Sequence, residues 1–237
     1  MDGGPYLNPM FRFRMCWTAL FLSLGLAAQP DPNQRFAAFG YAGLNLAQID
    51  GDYYFGYNKA GIRFGVGAHI VIKPKWYTSV GLGFNQLGTR PSRKERNERN
   101  LATIDLRLNV VEVPVLLHYR LGDKNAYTKK LNYQLYRSSE IQFGLAVSRT
   151  VGTRVERTGR ASQFAAREDF VAVQDQYKST DLYFLLGVAV QLSTSSSIYV
   201  QHGKSVLGIY RPETKRMGEV LPLFPYYFNL GMRYTLY

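Results

Sequence analysis

Between Asp181 and Ser193 the chain reads DLYFLLGVAVQLS, and large apolar residues fall at every second position: Leu182, Phe184, Leu186, Val188, Val190 and Leu192. Their neighbours Asp181, Tyr183, Gly187, Ala189, Gln191 and Ser193 are mostly small or polar, with Leu185 the exception. A period of two is the mark of a β-strand with two unlike faces. The pattern recurs. Ile62, Phe64, Val66, Ala68, Ile70 and Ile72 alternate with Gly61, Arg63, Gly65, Gly67 and His69. Trp76, Val80, Leu82 and Phe84 alternate with Tyr77, Ser79, Gly81, Gly83 and Asn85. Ile141 to Val147 and Phe228 to Leu236 behave in the same way.

Three weaker stretches complete the set: Ala38–Gln48, Thr103–Tyr119 and Ser197–Gly208. In the second, the apolar phase switches near Val110-Val111, which predicts a bulge or bend. Pro114 there needs a place where no N–H is required. The total is about eight strands, the even number expected of an outer-membrane barrel. The connections alternate in length. Lys73-Pro74-Lys75 and Thr194-Ser195-Ser196 are tight, whereas 50–59, 88–102, 153–180 and 211–225 are long and polar or basic. Short periplasmic turns and long extracellular loops give this alternation. The long link at 121–139 breaks it and is read as a strand extension beyond the membrane.

The face opposite the aliphatic one decides between a soluble and a membrane barrel. It holds Gly65, Gly67, Gly81, Gly83, Gly144 and Gly187 and few charges. That is a poor solvent surface but a workable interior for a narrow closed barrel, where small residues make room for Arg63, Tyr183, Gln191 and Arg233. Closure is obligatory in lipid, because an unpaired strand edge in hydrocarbon costs several kcal/mol per group. The fold expected is therefore all-β: a closed antiparallel transmembrane β-barrel. Trp76, Tyr77, Tyr119, Tyr199, Tyr226 and Tyr227 lie near strand ends and are expected to form aromatic girdles. Asn229, Gly231, Tyr234, Leu236 and the final Tyr237 follow the order of a C-terminal signal for the barrel-assembly machinery.

An export signal fits this reading. Arg12 and Arg14 precede the apolar stretch Met15–Leu26, and small residues follow at Ala27 and Ala28. Residues 1–28 are read as a signal peptide, with 1–9 a possible upstream extension, and 29–237 as the barrel domain. The single Cys16 lies in the signal, so disulfides and Cys metal sites are not expected of the mature chain. The formal charge is +12. Such a charge implies an anionic partner, and export argues against nucleic acid.

The segments GLNLAQIDGD (43–52), GYNKAGIRFGVG (56–67), VGLGFNQLGTR (80–90) and VVEVPVLLHYRLG (110–122) give the chain a family likeness. It resembles the PorT-like outer-membrane β-barrel family of Bacteroidota from about Phe36 to Tyr237, including a Glu–x–Pro strand, here Glu112-Val113-Pro114. The resemblance implies the fold and the location. Some members serve protein secretion to the cell surface, which makes a secretion or surface-assembly accessory an alternative role.

Chemistry is sparse. His69, His118 and His202 fall on different strands, with no metal-ligand spacing. The GKS at 203–205 lacks the glycine a phosphate loop needs at position 198, which is Ile198. A lipid A-modifying enzyme needs a Ser, a His and an acid together; His202 and Ser205 fall on opposite faces of a regular strand. The expectation is a non-enzymatic barrel with no cofactor and no open pore, in a structural or partner-binding role, with a lipid A-modifying outer-membrane enzyme as the second alternative after the secretion or surface-assembly accessory. Its partners would be outer-membrane lipid and lipopolysaccharide, and a membrane or periplasmic protein. Arg90, Arg93, Lys94, Arg96 and Arg99 are the candidate lipopolysaccharide contacts, with Arg149, Arg154, Arg157, Arg160 and Arg167 adding to the basic loops. Arginine suits phosphate through its bidentate donors.

Overall fold

Eight strands pair in chain order, and the last pairs with the first. A computed structural model describes residues 35–98, 103–121, 139–158, 170, 172–212 and 220–236. The expected signal peptide, Arg99, Arg160, Arg167, Tyr237 and most of the 121–139 link lie outside them. The strands are β1 (Phe36–Asp50), β2 (Lys59–Lys73), β3 (Trp76–Thr89), β4 (Thr103–Arg120), β5 (Ser139–Thr158), β6 (Thr180–Gln191), β7 (Ser196–Ser205) and β8 (Phe224–Leu236). All pairings are antiparallel, and β8 closes the ring from Ala38↔Leu236 to Asp50↔Phe224. Among the described residues no helix is long and apolar enough to cross a membrane; the crossing is made by strands.

The two faces are inverted relative to a soluble barrel. Leu44, Val66, Leu82, Val188 and Leu230 all expose more than half of their surface outward, whereas Asn45, Arg63, Asn85, Glu112 and Asn229 are buried inside. A continuous apolar wall of this extent far exceeds the patches tolerated on soluble monomers, so its solvent is hydrocarbon. On β4 the outward residues from Val111 to Tyr119 are all apolar or aromatic. Eight steps of ~3.4 Å, tilted by ~40°, span roughly 20 Å along the barrel axis, close to the ~25 Å apolar band of such barrels.

Two expectations are corrected here. β4 does not change phase: Ile104, Leu106, Leu108, Val110, Glu112, Pro114, Leu116 and His118 all point inward in unbroken alternation. The extra residue lies in the neighbouring strand, where Asn109↔Gly152 is followed by Val110↔Thr150, leaving Val151 as the bulge. What changes along β4 is the identity of the apolar face. Pro114 sits where the β3–β4 ladder is interrupted, between Val80↔Val115 and Gly83↔Glu112, opposite the small Gly81. The girdle is the second correction. Trp76 and Tyr119 pack together outside, with ring centroids 4.7 Å apart, and Tyr226 is half-buried on the outer face. Tyr77, Tyr199 and Tyr227 instead point inward and are buried. Tyr199 and Tyr227 lie across Gly231 and Gly203, where an added Cβ would come within 2.6 Å and 2.5 Å of their rings. These glycines serve to admit the rings.

Candidate functional site

The interior is built in layers. In the middle, Asn229 donates to Asn45 at 2.7 Å and Asn45 donates to Asn85, which donates to Glu112 at 2.9 Å. Arg63 bonds Glu112 at 2.6 Å from the other side and donates onward to Gln201. This single chain joins β8, β1, β3, β4, β2 and β7 across the lumen. Nearly every polar group in it is paired, as burial away from water requires; the Asn229 Oδ1 is the exception and has no partner among the described residues. Of the residues expected to cross the lumen, Arg63, Tyr183 and Arg233 do so, while Gln191 bonds the carbonyl of Thr194 at the adjacent turn, 3.0 Å away.

Nearer the strand termini lies a second cluster. Glu140 accepts from Tyr77 and Arg233, and from Gln142 at 2.8 Å. His118 Nδ1 lies 3.4 Å from the same carboxylate, and its Nε2 is 2.7 Å from Ser79 Oγ. Ser79, His118 and Glu140 therefore stand in the order of nucleophile, base and acid. Sequence inspection sought this order at His202 and Ser205. Those two do lie on opposite faces, His202 packing outward against Phe228 at 4.7 Å. The three that do meet come from β3, β4 and β5, and only strand register brings them together. The cavity beside Ser79 measures about 30 Å³. That is room for about one water and not for an acyl chain.

Toward the long loops the lumen becomes apolar. Ala47, Ile49, Leu87, Ile104, Leu106, Leu108 and Leu185 form one cluster with Tyr54, Phe170, Ile209, Tyr210 and Leu223 from the connections. The loops are drawn into this plug, and polar contacts fix them there. Glu95 ties two of them, accepting from Phe55 N–H at 2.9 Å. It also forms a reciprocal cap with Ser92 that starts the short helix α1 (Arg93–Glu98). Asp52 is buried under the first loop, where it accepts from the Tyr54 N–H at 2.9 Å; burial pushes its carboxyl up to about 7.

The expected lipopolysaccharide contacts are partly neutralised. Arg90 is 3.4 Å from Asp105, and Lys94 is 3.7 Å from Glu98 in a well-exposed pair. Arg93 is exposed and Arg96 half-buried on α1. A cation that sequence reading left out is Arg107, which faces outward on β4 directly opposite Arg154. The signal for it was available, since Arg107 shares the phase of Val111–Tyr119. Of the assembly-signal residues, Asn229 and Gly231 face the lumen, and Tyr234 and Leu236 face outward.

The sequence matches the outer membrane protein beta-barrel domain family over residues 27–206. No curated protein of similar sequence matches the chain. Among solved structures it is similar to Ail, the attachment invasion locus protein of Yersinia pestis, at 12% identity, covering 85% of this chain and 99% of Ail with a TM-score of 0.41. It is also similar to Neisserial surface protein A at 12% identity, covering 85% and 97% with a TM-score of 0.40. The outer membrane enzyme PagL aligns at 9% identity, covering 84% and 98% with a TM-score of 0.37. The chain belongs to the outer membrane protein beta-barrel domain family and is an outer-membrane protein.

Proposed function

We propose that this protein is a sealed barrel that acts through its surfaces, in a structural or partner-binding role, without conduction or catalysis. The observation that carries this reading is the hydrogen-bonded chain from Asn229 to Gln201, which ties six strands across the lumen beneath an apolar plug. An ion crossing the barrel would have to break a buried ion pair and enter an apolar layer, both costly. The experiment is reconstitution in planar bilayers. No unitary current steps are expected from the wild type, and reproducible steps overturn the reading. On the outer side, the loop cations Arg90, Arg93, Lys94, Arg96 and Arg99 contact lipopolysaccharide phosphates. Replacing these five with Gln is expected to lower co-purified lipopolysaccharide. Tyr234, Leu236 and Tyr237, with Asn229 and Gly231, address the chain to the barrel-assembly machinery. The narrower PorT-like likeness supports a secretion-accessory version of the partner-binding role, which a pull-down from detergent-solubilised membranes addresses.

One observation favours a second reading, a hydrolase of outer-membrane lipid: the Ser79–His118–Glu140 alignment. A fluorophosphonate probe separates the two. Labelling of the folded protein that is lost in Ser79→Ala moves the function to catalysis. No labelling keeps it with the sealed barrel.

A further inference from the structure

The outer wall above the apolar band is not evenly charged. Outward residues of β4 and β5 pair in rows: Val111 with Arg149, Asn109 with Gly152, Arg107 with Arg154, and Asp105 with Glu156. Below Arg149 come Val147, Leu145 and Phe143, all exposed. Cations therefore lie next to the membrane and carboxylates one row further out. Both carboxylates are engaged, Asp105 by Lys59 and Arg90, and Glu156 by Arg154 at 2.7 Å. Among the described residues Arg107 and Arg149 have no anionic partner. Two guanidinium groups directly opposite on one face repel each other; Glu156 offsets the charge of Arg154, which leaves Arg107 opposite it as the uncompensated cation that an added anion would relieve.

The row between these cations is shaped to receive one. Apart from its two chain neighbours, a Cβ added to Gly152 would meet only the Asn109 side chain, with Nδ2 at 3.4 Å; the exposed bulge residue Val151 separates Gly152 from Arg149. Asn109 Oδ1 accepts from Gln86 at 3.1 Å, which orients the amide and leaves its Nδ2 donors to point elsewhere. We propose that Arg107, Arg149 and Arg154, around the glycine gap at Gly152 and beside Asn109, form a binding site for a phosphate group on the head of an outer-leaflet glycolipid. The chemistry is bidentate guanidinium–phosphate pairing with one amide donor. The ligand's acyl chains lie along Val147, Leu145 and Phe143. This site is on the barrel wall, separate from the loop cations of 90–99, and it rests only on the outer-membrane location.

The test uses the full-length protein in detergent micelles, with native mass spectrometry counting bound bis-phosphorylated lipid A. Three proteins are compared: wild type, Arg107→Gln/Arg154→Gln, and the five-fold Gln variant of the 90–99 loop. Heat-modifiable migration on gels checks that each is folded. Loss of one bound lipid, or at least a tenfold weaker apparent affinity, is expected in the wall variant, while the loop variant retains that lipid. A dephosphorylated lipid A is expected to bind the wild type no better than the wall variant. Retention of the lipid by the wall variant overturns the site. Displacement of the lipid by submillimolar inorganic phosphate overturns the assignment to a lipid headgroup. Loss in the loop variant alone leaves the loop reading standing and discards this one.

Discussion

Replacing Glu112 with Gln tests the interior directly. Glu112 is 1% exposed and its partner Arg63 3%. The Gln side chain keeps the size of Glu112 and one acceptor, but it leaves the Arg63 guanidinium as a buried cation without a counter-charge. Breaking a buried pair in this way costs about 3–5 kcal/mol. At ~1.4 kcal/mol for each factor of ten, that lowers the folding constant by between roughly 10²- and roughly 4 × 10³-fold. With a urea dependence of about 2–3 kcal/mol per molar, the midpoint falls by ~1–2 M. The assay is urea titration of the protein in phosphocholine micelles, read by heat-modifiable migration. The double variant Arg63→Gln/Glu112→Gln removes both charges and is expected to recover at least half of the loss, because the neutral pair still bonds Asn85 and Gln201. A Glu112→Gln protein within ~1 kcal/mol of wild type refutes the reasoning: it means that water reaches Arg63 and that the lumen is not sealed at this level.

Gly231→Ala places a Cβ 2.6 Å from the Tyr199 ring and 2.8 Å from the Ala42 carbonyl; a loss of ~1–3 kcal/mol is expected from such overpacking, and Tyr199→Ala in the same chain relieves only the ring part of it. The buried Asp52 carboxyl titrates near 7, above its ordinary value of 3.8. The folded first loop therefore holds a proton that the opened loop releases, so its stability is full below about 4 and declines as pH rises through about 7. Hydrogen exchange at residues 51–58, corrected for the intrinsic pH dependence, is expected to accelerate between pH 5 and 8 in wild type and to stay flat in Asp52→Asn. Tyr234 and Leu236 face outward with their side chains partly exposed. Tyr234→Ala/Leu236→Ala is expected to cut insertion in cells several-fold while changing urea stability of refolded protein by less than ~1.5 kcal/mol.

The strand count, the closure and the inward glycines were legible because period-two alternation survives wherever one face meets lipid. The reading failed where the second face changed character. In β4 the inward residues are apolar from Ile104 to Val110 and polar at Glu112 and His118, while the outward ones do the reverse. A rule that follows apolarity alone reads this exchange as a slipped register, although the backbone never breaks step. Leu185 has the same cause: it is an inward residue of the upper plug, not an irregularity. Girdle tyrosines and lumen tyrosines both sit near strand ends, and only their parity separates Tyr226 from Tyr227. The Ser92–Glu95 cap was visible as Ser-x-x-Glu before a short helical stretch, within a loop whose charges drew attention instead. The Ser79, His118 and Glu140 cluster had no local signal, since partners on three strands meet only after the register is known.

The seam between the outermost strands has a consequence for timing. Ala38 waits for Leu236, almost the full length of the barrel away in sequence, so the ring cannot shut until β8 has been delivered. Until then the chain carries two raw edges able to recruit a neighbour's strand, and such distant partners meet slowly. The last joint to be made is therefore the one that removes both exposed edges at once.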